Sequence, residues 1–467
     1  MNLRDSLDTL RDFWRDFTKV KSGIVGLALL ACFVLLGAFG TSLVPFPGAI
    51  DHWRDIAFWQ DNPRAAPPAW TNWFAARKGA VSTILRDPTV EESDLGDGVT
   101  LTTFSFSYRA DFDRPPRDMV VRFQGQGQVP VTISITRPDG LSAELYRDQL
   151  SLAENDLQRV SIDRNCAQSV IEFVRSRDQD LASTMSAGTL KPLYVLFSRI
   201  EAGVGEEPKP LKGGYTLQVA ALKVSQDFSI GTPEVMVSGD VAGILGTDIS
   251  KRDVFTGLII GIRWALVIGI LTSVVTVLCG VFFGVTAAYF GGAVDWILNR
   301  TYELIYLMPV LPFLIVISAI FKPTIWTLII IICLFFWTGP YKPAYSMALQ
   351  IREETYVEAS RGIGSGKWRV IVRHIVPILL PYSFAVMALS IPGVIVYEAS
   401  VSLLGLGDAS IVTWGQLLND ALGQGAVINN LWWWVVPPGL MIALMGMSFA
   451  FLGTALDKIL HPKLRTR

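Results

Sequence analysis

The sequence predicts an α-helical polytopic membrane protein of six transmembrane helices, with a large β-rich extracytoplasmic domain inserted between helices 1 and 2. Three observations carry this. Of 467 residues 51% are apolar, and they gather in long uncharged runs instead of amphipathic alternation. Six of those runs are each long enough for one crossing, since about 30 Å of hydrocarbon takes about 20 helical residues. Between the first and second run lies a polar stretch, residues 45–243, in several segments of which apolar residues recur at every second position.

The six runs are 23–44, 264–294, 304–321, 323–341, 375–397 and 421–456, and none contains Asp, Glu, Lys or Arg. Only Lys322, followed by Pro323 at the start of the fourth, separates the third from the fourth. Together those two are too long for one crossing, which fits a tight helical hairpin. Before the first run, Leu3, Leu7, Leu10, Phe13, Phe17 and Val20 recur at helical spacing among Asp and Arg, so residues 1–22 read as an amphipathic cytoplasmic helix. Lying on the membrane surface and packing on a partner protein fit that pattern equally. The first run is longer than a signal-peptide core, follows a charged segment and ends at no A-x-A site, so it is expected to remain as an anchor.

Orientation follows from the basic residues that flank the runs. Arg4, Arg11, Arg15, Lys19 and Lys21 precede the first; Arg352, Arg361, Lys367, Arg369 and Arg373 lie between the fourth and fifth; Lys458, Lys463, Arg465 and Arg467 follow the sixth. With six crossings all three groups fall on one face. Both termini are therefore expected in the cytoplasm, with residues 45–243 outside.

In the exported stretch, Thr100–Tyr108, Met119–Phe123, Val131–Thr136 and Tyr215–Val219 alternate in the strand period, and Arg137-Pro138-Asp139-Gly140 is a turn signal. A sandwich-like β domain follows. Val170, Ile171, Phe173 and Val174 suit a short helix, while Trp53, Trp59, Trp70, Trp73 and Phe74 near Pro67-Pro68 either lie at the membrane interface or fill the core, the second being the expectation. Cys166 is the only cysteine of this stretch, which excludes an internal disulfide framework.

Few chemistries remain for the chain itself. His52, His374 and His461 are scattered without zinc-site spacing. The Gly362–Lys367 segment resembles a phosphate loop, yet it has three residues between its outer glycines and Trp368 where Ser or Thr would hold magnesium. Gly364 and Gly366 suit the turn of a helix-turn-helix instead. Glu358 near the helix start, the basic residues Arg361, Lys367, Arg369 and Arg373, and the apolar Tyr356, Ile363 and Trp368 together make a surface for a partner to grip. The plain alternative is a solvated basic loop.

Glu358-Ala359-Ser360, Gly364 and Pro377 resemble the cytoplasmic E-A-A loop of binding-protein-dependent ABC importers. Leu245-Gly246-Thr247-Asp248 with Arg252-Asp253-Val254, Tyr289-Phe290-Gly291-Gly292, Glu398-Ala399-Ser400 through Leu404-Gly405-Leu406-Gly407, and Trp414-Gly415 are similar to the dipeptide and oligopeptide (peptide/nickel) branch. The likeness covers the first run and residues 244–467. Ser360 departs from the usual second Ala, and Lys251 stands where Gly is common. The resemblance implies a type I importer permease whose core, 244–467, carries five helices and a coupling loop at 352–381.

Within that loop it gives the ATPase-coupling role to Tyr356, Glu358, Ala359, Ser360, Arg361, Gly364, Lys367, Trp368 and Arg369. Asp248, Arg252, Asp253, Glu398, Gly405 and Gly407 are family-motif positions. The implied partners are a second permease, two ATPase domains and an external solute-binding protein, in a lipid bilayer and without nucleic acid. The chain itself needs no cofactor, ATP and magnesium belonging to the ATPases, and it is not an enzyme. Peptides are the leading solute, with nickel or oligosaccharide in the same branch. Pro309, Pro312, Pro392-Gly393 and Pro437-Pro438-Gly439 mark kinks or joints within the runs. A membrane receptor that senses an external ligand is the alternative from another class.

Overall fold

The computed structural model describes residues 14–46, 48–96, 99–152, 156–160, 163–204, 208–223, 229–321 and 324–460. Most of the expected leading helix, Lys322-Pro323, His461 and the basic residues Lys463, Arg465 and Arg467 lie outside them. Two compact units result, Asp55–Phe255 and a helical unit of Met1–Arg54 with Thr256–Arg467. Helix α1 (Lys21–Phe39) opens the helical unit. A Cβ added at Gly26 would come within 2.7 Å of the Ser448 carbonyl oxygen, so the absence of side chains at Gly23 and Gly26 lets α1 seat against the last helix.

The β-rich unit is built of antiparallel strands β1 (Thr83–Leu85), β2 (Thr89–Asp94), β3 (Thr100–Ala110), β4 (Asp118–Phe123), β5 (Gly125–Thr136), β6 (Ser142–Leu152) and β7 (Asp156–Arg159). Helix α2 (Arg164–Arg175) follows, then β8 (Gly213–Lys223), β9 (Ser229–Ile230) and β10 (Glu234–Ser238). One sheet runs β1-β10-β4-β7; the other runs β2-β3-β8-β5-β6, with β9 added to β5. Alternation sets their register: Phe104, Phe106 and Tyr108 face inward opposite Val219, Leu217 and Tyr215. Arg137 to Leu141 closes the β5–β6 hairpin, with Gly140 at φ +79°. The buried Arg137 guanidinium donates to the carbonyls of Val195 and Ser198 and pairs with Asp139.

Asp163 caps α2 by accepting from the amides of Asn165 and Cys166. The helix turns Cys166, Val170 and Val174 into the core. Burial pushes the Cys166 thiol up to about 12. At pH 8 only about one thiol in ten thousand is then thiolate. Cys166 in the folded chain is accordingly expected to label with maleimide at least about a hundredfold more slowly than in urea; equal rates measured by mass spectrometry would contradict its burial.

The aromatic segment divides. Trp53 and Trp59 are buried, whereas Trp73 and Phe74 are 82% and 81% exposed. Core filling therefore fails for the second pair, because the short turn of 3-10 helix at Ala69–Trp73 points them outward.

The helical unit continues with α3 (Val254–Phe290), α4 (Gly292–Leu307), α5 (Val310–Ile320), α6 (Ile325–Phe336), α7 (Thr338–Arg352), α8 (Thr355–Gly362), α9 (Lys367–Val370), α10 (Val376–Leu403), α11 (Trp414–Gly423) and α12 (Trp432–Leu460). Among the described residues five helices are long and apolar enough to cross a bilayer, namely Lys21–Ser42, Val254–Phe290, Ile325–Arg352, Lys367–Leu403 and Trp432–Ile459. A sixth crossing exists only if α4 and α5 are counted together, and these are bent by 78°. The break falls at Pro309, one of the kinks or joints expected in the third run, and splits that run into two helices. Pro309 has no N–H to donate, and Met308 before it is held extended at ψ 128°.

Two other boundaries move. The second helix starts ten residues before the uncharged run, taking in Arg263, because a single cation ends a run without ending a helix. The last begins at Trp432 instead of Ala421, since Gly425 and Asn430 adopt left-handed backbone at φ +71° and +55°. Val376–Pro381, placed in the coupling loop by the resemblance, is already the first turn and a half of α10.

Candidate functional site

The segment between α7 and α10 is a compact helix-turn-helix. Gly364 follows α8 at φ +86°, where its amide donates to the Arg361 carbonyl and that of Ser365 to the Ser360 carbonyl. Gly366 then caps α9 in an extended conformation. Inward, Val357, Val370, Ile371 and Ile375 pack with Val281 and Val285 of α3 and with Ala344 and Ala348 of α7. A force on the turn therefore reaches two membrane helices through close-packed side chains.

The nine residues proposed for coupling divide into three groups. Trp368 stacks on Phe282 at 6.1 Å and an interplanar angle of 7°, and leans on Phe290. The Arg361 guanidinium lies 4.6 Å from the Tyr289 ring centre and Lys367 lies 5.5 Å from that of Phe290. These three side chains clasp the end of α3. Ser360 is buried with its hydroxyl 3.3 Å from Nε2 of His374, which gives the Ala-to-Ser departure a polar contact inside the motif. Tyr356 is partly exposed and its ring lies near His374. Glu358, Ala359, Gly364 and Arg369 face outward, and Ile363 at the tip is 86% exposed.

A cavity of about 460 Å³ lies between α3, α4, α5, α6, α7 and α10. Thr276, Tyr306, Phe335, Thr338 and Ser390 are among its lining residues, and no charged side chain is. Nearby, Lys342 of α7 donates to Asn299 Oδ1 at 2.7 Å and lies against the rings of Tyr302 and Tyr345, holding α4 to α7.

The other motif residues are structural fasteners. Glu398 is 5% exposed and accepts from the Ser402 hydroxyl at 2.8 Å. The chain then turns at Gly405, with φ +78°, and returns so that a Cβ on Gly415 would stand 2.6 Å from the Ala399 Cα. Trp414 is buried and donates from Nε1 to the Leu258 carbonyl. Within the β-rich unit, buried Asp248 accepts both the amide and the Nε of Arg252, and Asp253 is buried beside them. Lys251 in that turn has φ +67°, which accounts for the usual glycine there. Glu303 is partly exposed and paired with Arg300 at 2.7 Å.

Residues 280–466, which hold the helix-turn-helix, all of the cavity lining but Thr276, and the Glu398 fastener, match the family described as the binding-protein-dependent transport system inner membrane component. Residues 9–68 match the N-terminal transmembrane domain of oligopeptide transport permease C. Among curated relatives, the dipeptide transport system permease protein of Bacillus subtilis is 34% identical over 221 residues, 47% of this chain and 68% of that protein. The chain belongs to this family of transport permeases. The oligopeptide transport system permease proteins of Haemophilus influenzae and Bacillus subtilis are each 31% identical, over 70% and 72% of their own lengths and 47% of this chain.

The permease is thus a multi-pass membrane component of transport and not an enzyme. Sequence reasoning missed Phe282, Phe290 and His374 as supports of the loop, and of the cavity residues it named Gly393 alone, as part of a joint. The Tyr289-Phe290 pair was noticed as a motif, but its clasp on the loop joins residues about 70 positions apart in the chain.

Proposed function

We propose that this permease is one of two membrane subunits of an ATP-driven importer of peptides, and that partner ATPases drive it through the α8–α9 turn. The observation that carries the reading is the division within that turn, where Trp368, Arg361 and Lys367 grip α3 while Ile363 and Glu358 face outward. A partner groove that closes on Ile363 moves α3 and α7, which border the cavity. The names of the relatives favour dipeptides or oligopeptides as the solute. The basic flanks favour cytoplasmic termini and an external β-rich unit, placed to receive a solute-binding protein. Trp73 and Phe74 give that unit an exposed aromatic pair for such contact. ATP and magnesium are assigned to the ATPases.

The test is ATP turnover by the assembled complex in proteoliposomes. Turnover is expected to rise several-fold when peptide-loaded binding protein is added, and the permease alone should hydrolyse nothing. Replacing residues 83–238 by a short Gly/Ser linker uses a natural neck, since Ala80 and Ser82 hydrogen-bond directly to Asp240 and Val241. That variant is expected to lose the stimulation and keep the basal rate; full stimulation would remove the β-rich unit from the docking role.

A further inference from the structure

A second cavity, about 450 Å³, opens at the end of the helical unit where α1 finishes and α6 begins. Gly37, Ala38 and Thr41 form one wall, Ile259, Arg263 and Trp264 of α3 another, and Trp326 of α6 stands at its side. Gly37 and Gly40 bring α1 close to Ile262 and Ile259. Arg263 is the only charged residue in the lining, it is exposed, and among the described residues it forms no ion pair.

Depth argues for what fills the groove. The 37 residues of α3 make a rod about 55 Å long, against about 30 Å of hydrocarbon. Centred on that slab, the helix leaves about 12 Å beyond each boundary, and Arg263 lies about 14 Å from its first residue. On that placement its guanidinium falls at the boundary between acyl chains and headgroups, where Trp264 and Trp326 also suit their amphipathic rings. An unpaired arginine here needs an anion, and the apolar floor beneath it needs hydrocarbon.

We propose that this groove holds one anionic phospholipid, its phosphate paired with Arg263 and one acyl chain lying along Gly37, Ala38 and Ile259. A guanidinium offers a planar fork of donors to phosphate oxygens, so the site favours the phosphodiester over a neutral lipid of equal chain length. The lipid then fastens α1 to α3 and α6 from the membrane side.

The experiment is native mass spectrometry of the full complex, delipidated and titrated separately with phosphatidylglycerol, dioleoylglycerol and inorganic phosphate. The wild-type chain is expected to retain one phosphatidylglycerol more tightly than dioleoylglycerol and to bind no inorganic phosphate. Arg263→Gln should weaken that retention about fivefold, and Arg263→Lys should keep much of it. Trp326→Ala, a change at an exposed position, should also weaken it. Equal retention of phosphatidylglycerol by wild type and Arg263→Gln would overturn the site, as would equal binding of dioleoylglycerol or binding of phosphate alone. Loss of the second permease from the Arg263→Gln complex, with lipid unchanged, would assign Arg263 to a protein interface and equally overturn it.

Discussion

Ile363→Asp is expected to cut uptake by the assembled transporter about thirtyfold or more while leaving the amount and thermal midpoint of the permease unchanged. At 86% exposure the side chain contributes little to folding. A buried apolar anchor at an interface is worth about 2–4 kcal/mol, and a carboxylate forced into the same pocket adds its desolvation. Ile363→Leu should retain most transport because it keeps the volume. The deciding measurements are peptide uptake and co-purification of the ATPase. Undiminished uptake by Ile363→Asp would mean that the turn is not the handle.

Gly415→Leu is expected to destabilise the helical unit by about 3 kcal/mol or more, the upper end for overpacking. The obstruction is backbone: an added Cβ would meet the Ala399 Cα at 2.6 Å and its carbonyl oxygen at 2.9 Å. A flexible neighbour yields, whereas the main chain of α10 does not. Gly423→Leu on the same helix is the control, since nothing lies within 4 Å of its added Cβ. Thermal denaturation in detergent should separate the two variants, and identical midpoints would refute the close approach of α11 to α10.

Uncharged runs made the membrane helices legible because bilayer crossing is a demand on composition. Helix ends were less so. Arg263 interrupts hydropathy without interrupting backbone hydrogen bonds, and the left-handed conformations at Gly425 and Asn430 depend on the folded turn. In the β-rich unit, Phe104, Phe106 and Tyr108 announced both a strand and its inner face. Trp73 and Phe74 misled because large apolar side chains are buried more often than not. The helix-turn-helix was readable from Gly364, but the clasp by Trp368 was not, since its partners Phe282 and Phe290 lie far away along the chain.

The 78° break between α4 and α5 leaves the last carbonyls of one helix and the first amides of the next without helical partners. Tyr306 and Val310, on either side of the break, both line the uncharged cavity. On the proposed function, a peptide in that cavity would pass close to these main-chain groups, which can pair with its own amides whatever side chains it carries. On that reading discrimination by residue type falls to upstream components, and the passage is suited to indifference.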